Sequence, residues 1–159
     1  MEGDVTERGD SFKLNEDEGL AVAEAATAFA SVVGGDRAAL YRELAAQAVE
    51  GSIDDTLIDV LERVSALALE TGKSRQIGKA EAERYLLAVY RRTPAGAALT
   101  AEVSDINKVL AHFAGKPLES IRVSARMPGR YLLDIAAEGF AVQLSLEPEG
   151  LEVRSVNAG

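Results

Sequence analysis

The sequence predicts an α+β protein, with about five helices in its N-terminal part followed by a four-stranded antiparallel meander packed on the last helix. Three observations predict it. Apolar residues recur every three to four positions up to Phe113, and after Pro117 they recur every second position. Between Met127 and Gly150, Pro and Gly residues then cut the chain into short segments of strand length. With 159 residues, 47% of them apolar, the chain can bury a core without disulfides, and it has no cysteine to form one.

Residues 1–14 carry several charges and few apolar groups, and are expected to form a disordered acidic tail. Asn15, with Glu18 three positions on, has the pattern of a capping box, and Leu20, Ala23, Ala26 or Thr27, Ala30 and Val33 follow at helical spacing. A helix is therefore expected over about 16–33, stopped by Gly34 and Gly35, which accept the backbone turn that ends helices. Asp36 is read as the cap of a second helix with Leu40, Tyr41, Leu44, Ala48 and Val49 inside, ended by Gly51. Ser52 opens a third, with Ile53, Leu57, Val60, Leu61, Val64, Leu67 and Ala68 on one face, broken at Gly72. A fourth, near 79–92, must stop before Pro94, because proline disfavours helical geometry in the preceding residue. Thr100 is expected to cap the fifth, which presents Val103, Ile106, Val109, Leu110 and Phe113.

Beyond Pro117, Ile121, Val123 and Ala125 alternate with Arg122, Ser124 and Arg126; Tyr131, Leu133 and Ile135 repeat the pattern, as do Phe140, Val142, Leu144 and Leu146, then Leu151 and Val153. Turns fall at Pro128–Gly129, Glu138–Gly139 and Pro148–Gly150. The chain thus reads as a helical region, 15–93, and an α-ββββ region, 100–157, expected to pack as one unit.

The formal net charge is −9, and it is unevenly placed. Met1 to Glu70 holds sixteen acids and five bases, whereas Thr71 to Gly159 holds ten acids and twelve bases. Such acidity, with no Trp and few other aromatic side chains, makes nucleic-acid binding a poor fit. The longest weakly polar stretch, Leu20 to Val33, is too short to span a bilayer, so no membrane partner is expected. The acidic first part and mildly basic second part are read first as attracting each other within the fold, and alternatively as marking a protein-docking surface built from Arg84, Arg91, Arg92, Arg122, Arg126 and Arg154.

Catalytic motifs dissolve on inspection. Thr71-Gly72-Lys73-Ser74 ends like a phosphate-binding loop but lacks the upstream glycine, since Leu67 stands there, and it follows a helix. His112, the only histidine, has no cysteine or second histidine to share a metal, and no nucleophile-elbow glycines flank Ser104 or Ser124. Asp55, Asp59 and Glu62 share a helix face without a calcium-loop pattern, so a solvated acidic face is expected. No cofactor or metal site is therefore expected. The leading expectation is a non-enzymatic cytoplasmic protein–protein interaction protein (an adaptor, chaperone or antitoxin/immunity-like inhibitor), with a homodimer through the first three helices as one form. The alternative is a small-molecule or lipid-binding module, enzymatic or not, with Tyr85, Tyr90, Tyr131 and His112 as polar handles of a pocket.

Overall fold

A computed structural model describes residues 11–148 and 150–158, the side chains of 73–80 excepted. It contains five α-helices followed by a four-stranded antiparallel sheet, the fold class expected. The chain forms two compact units, Met1–Ala97 and Ala98–Gly159.

In the first unit β1 (Phe12–Lys13) pairs antiparallel with β2 (Ser52–Ile53), and four helices follow in the order α1 (Glu16–Val32), α2 (Gly35–Glu50), α3 (Ile58–Glu70) and α4 (Lys73–Arg92). Residues 1–10 of the expected tail lie outside the described residues. Its last part is ordered: Phe12 and Lys13 form β1, and Leu14 is buried. The capping box is present, with Asn15 accepting from the Glu18 backbone and Glu18 from that of Asn15. The buried face of α1 centres on Val22, Ala25, Ala26 and Phe29, whereas Leu20 sits half exposed at its rim. Small residues let α1 and α2 approach closely: a side chain at Gly19 would collide with the carbonyl of Ala48. Leu44, Ile53, Leu61, Val64, Leu86 and Val89 complete this core, but Leu40 and Val49 of α2 point to solvent.

Several element starts differ from the sequence reading. Gly34, not Asp36, occupies the N-cap position of α2. Ser52 and Ile53 extend to meet β1, and a 3₁₀ turn (Asp55–Leu57) precedes α3. Asp54 caps that turn, accepting from the Thr56 backbone at 2.9 Å and its hydroxyl at 2.7 Å. Helix α4 starts at Lys73, six residues earlier than expected, directly after the left-handed Gly72. Helix α5 (Pro94–Leu110) likewise starts before Thr100, because proline suits the first helical position. The Thr93 hydroxyl accepts from Gly96, and the Glu62 carboxylate accepts the Ala95 N–H at 2.8 Å.

In the second unit α5, past Ala98, and a 3₁₀ turn (Ala111–Phe113) lead into β3 (Leu118–Met127), β4 (Arg130–Ala137), β5 (Phe140–Glu147) and β6 (Gly150–Ala158), ordered β3-β4-β5-β6. Gly129 and Gly139 supply the positive φ of two of the hairpin turns. Ile121, Ile135, Val142 and Val156 lie in one row across the sheet, and Val123, Leu133, Leu144 and Val153 in the next. Ile106, Phe140, Val142 and Leu144 are the buried centre, with Val109, Leu110 and Phe113 packed against them.

Two predictions test this packing. The Ser65 hydroxyl is fully buried in the helical core and has no hydrogen-bond partner among the described residues, so Ser65→Ala should raise stability by about 1 kcal/mol in urea unfolding. A loss of stability would contradict the placement. The hydrogen bonds from Thr56, its backbone first, hold the Asp54 carboxyl below the usual carboxylate range. Its contribution is therefore complete above the ordinary aspartate pKa and is lost as pH falls through the lowered one. NMR titration should find Asp54 low in the intact chain and closer to ordinary in Thr56→Ala.

Candidate functional site

The six arginines divide three and three between the units. In the helical unit, Arg84 lies 5.0 Å over the Tyr85 ring and donates to its hydroxyl at 3.2 Å; that hydroxyl donates to Asp17 at 3.0 Å. Arg91 is exposed one position before Arg92. Arg92 is committed inside its own unit. Its guanidinium donates to Glu18 at 2.6 Å and to the Lys13 carbonyl at 2.9 Å, and lies 4.9 Å over the Phe12 ring. The planar fork of arginine suits this two-armed role, tying the end of α4 to β1 and the first turn of α1.

In the sheet unit, Arg122 and Arg126 stand on β3 and Arg154 on β6, the two outer strands, about 14 Å apart at ordinary strand spacing. All three are exposed. Arg122 lies opposite Asp134, whose carboxylate accepts from Gln143 at 2.7 Å. Arg154 falls where the β5–β6 register shifts. This sheet face is a mixed polar row rather than one cationic patch.

A different feature of the same unit escaped the sequence reading. Strand β3 is exposed along all ten residues, and its inward row is left largely uncovered: Leu118 is 49%, Ile121 60% and Val123 65% exposed. Large side chains at that exposure lie on a strand that, among the described residues, is paired along one side only. The alternation of Ile121 and Val123 and the meander order that puts β3 at an edge are both legible in the sequence, but how little of that row the fold covers is not encoded in spacing.

The remaining candidates find structural roles. His112 sits at the end of α5 with Nδ1 3.1 Å from both the Lys108 and Val109 carbonyls, and its ring stacks 5.0 Å from Phe140. Thr71 and Gly72 join α3 to α4. Glu62 caps α5 rather than joining Asp55 and Asp59 in a site. Among the described residues no group of three His, Asp or Glu side chains could hold a metal ion. Among them, too, no helix is long and apolar enough to cross a membrane.

An open groove of about 300 Å³ lies beside α5, lined by Ile106, Val109, Leu151 and Val153 with Glu102, Asp105 and Glu152. Neither His112 nor Tyr131, two of the polar handles expected for a pocket, lines it. Tyr85 instead borders a hollow on the helical unit with Asp17, Glu24 and Glu81. No protein-family model matches this chain, and no significant match was found among curated proteins or solved structures.

The two neighbouring arginines of α4 should therefore differ sharply on truncation. Arg92→Ala should cost about 2 kcal/mol in chemical denaturation, since it leaves Glu18, which is mostly buried, without its charged partner. Arg91→Ala should stay within about 0.5 kcal/mol of the parent, as for surface substitutions generally. Equal effects would mean that the Arg92 contacts add nothing.

Proposed function

We propose that this chain is a non-enzymatic cytoplasmic interaction protein, of the adaptor, chaperone or inhibitor kind, and that it docks another protein along strand β3. The observation that carries the reading is the exposed edge strand with its uncovered row, Leu118, Ile121 and Val123. An edge strand offers unpaired N–H and C=O groups to an added strand, while alternate side chains give specificity. Within the mixed polar face of the sheet, strand β3 itself carries Arg122 and Arg126 against one acid, Glu119, on an otherwise acidic chain. That contrast favours a partner segment with acidic side chains next to its apolar ones. Arg84 and Arg91 on α4 remain candidates for a second contact, whereas Arg92 is held by Glu18 and Lys13.

A photo-reactive residue placed at Ile121, expressed in the native host and irradiated, tests the reading. It should yield covalent protein adducts, including any with a second copy, that the same probe at the exposed Arg37 of α2 does not. No adduct at Ile121 would remove the reading.

A further inference from the structure

We infer that the sheet unit carries a second site, between α5 and the β5–β6 hairpin, that binds a small primary ammonium group borne on a short apolar chain. The site shares no residue with β3, so the inference goes beyond the docking reading and does not depend on it.

Two hollows with common walls form the site. One, of about 240 Å³, is lined by Glu102 of α5, Ser145 and Glu147 of β5, and Gly150 and Glu152 of β6. The other is the open groove beside α5, and the two share Glu102 and Glu152. Ser145 pairs directly with Glu152 across the two strands, as Glu147 does with Gly150. A β-carbon at Gly150 would stand 3.5 Å from Oε1 of Glu102, so the helix carboxylate lies against that end of the hairpin.

Charge and an unsatisfied hydroxyl both point to a donor of positive charge. Of the four carboxylates that line the two hollows, Glu147 accepts from Arg130 at 2.9 Å and Asp105 from Lys108 at 2.7 Å. Glu102 and Glu152 have no cationic partner among the described residues, which leaves two uncompensated negative charges in one wall. Ser145 is only 1% exposed, and its hydroxyl has no hydrogen-bond partner among the described residues. A buried polar group left in that state costs free energy, which a donor entering the hollow would recover. Ser65, the other such hydroxyl, lines neither hollow.

The acceptors select among cations. Among the described residues no group of three carboxylates or histidines could hold a metal ion. A quaternary ammonium has no N–H for Ser145, and no aromatic side chain lines either hollow to cage it. A primary ammonium carries three donors, and the hollow offers three free acceptors: the Ser145 hydroxyl and the carboxylates of Glu102 and Glu152. These acceptors come from three elements, an arrangement that suits diverging donors better than the planar fork of a guanidinium. Ile106, Val109, Leu151 and Val153 in the adjoining groove then cover the ligand's carbon chain. Hollows of this size stand at the low end for small-molecule sites and well below what a protein interface requires. The occupant is therefore a free amine rather than a lysine of another chain.

Titration of the full chain with hexylammonium chloride, followed by heteronuclear NMR, tests the assignment. The amide signals of Ser145, Leu151 and Val153 should shift and saturate with a Kd of about 1 mM, each methylene removed from the probe weakening binding about two- to fourfold. Hexanol and hexanoate, which keep the chain and lack the ammonium, should give no saturable shift at about ten times that concentration. Glu102→Gln combined with Glu152→Gln, both at exposed positions, should weaken binding at least about tenfold. Ser145→Ala should weaken it about tenfold with far-UV circular dichroism unchanged; should that variant disturb the fold, the double glutamate substitution decides. Absence of a saturable shift at these signals overturns the inference, as does equal binding of hexanol or undiminished binding to the double variant. Shifts spread evenly over the acidic surface also overturn it, marking general attraction to a chain of net charge −9. Tighter binding of N-acetyl-lysine methylamide than of hexylammonium overturns it too, by making a partner's side chain the occupant. None of these results bears on β3, which the photo-reactive residue at Ile121 tests separately.

Discussion

A single helix about 10 Å wide cannot cover a sheet whose outer strands are about 14 Å apart. That mismatch governs the second unit. Helix α5 buries the β5 row, Phe140, Val142 and Leu144, and the flanking strands receive progressively less cover. On β4, Leu133 and Ile135 are half-buried; on β3, the same rows continue into Ile121 and Val123, which are open. The apolar alternation of the four strands implies a fully covered face, and the deficit at one margin leaves its apolar side chains in water.

The helical unit meets its constraints differently. Its helices are rich in alanine, so they approach closely and gain packing rather than large hydrophobic area. One carboxylate has a central place there: Glu18 closes the capping box of α1 and also receives Arg92 from the far end of α4. Arg92 in turn holds β1 through Lys13 and Phe12. A residue that looked in sequence like part of a docking surface is thereby spent on internal order. Charge type alone does not separate the two roles.

How far the fold was legible depended on the kind of signal. Capping at Asn15, the stop at Gly51 and the turns at Gly129 and Gly139 are local, and each residue took its foreseen place. The rim position of Leu20, the pairing of Phe12 with Ile53 and the early starts of α4 and α5 were not legible, because each depends on groups distant in sequence. Glu62 illustrates the difference: its helix face was correctly read as acidic, yet the carboxylate caps a helix more than thirty residues away. Of the candidate site, the cationic character of β3 could be read from the chain, but its exposure could not.

By itself the sequence determined the succession of five helices and a four-stranded meander, the absence of cysteine, and the charge carried by each segment, because periodicity, turn residues and ionisable groups act over a few neighbouring positions. Tertiary structure decided how much of the sheet one helix covers, which arginines are already engaged and which apolar residues remain in water. Those outcomes depend on what packs against what, and a side chain carries no local mark of the neighbour that will cover it.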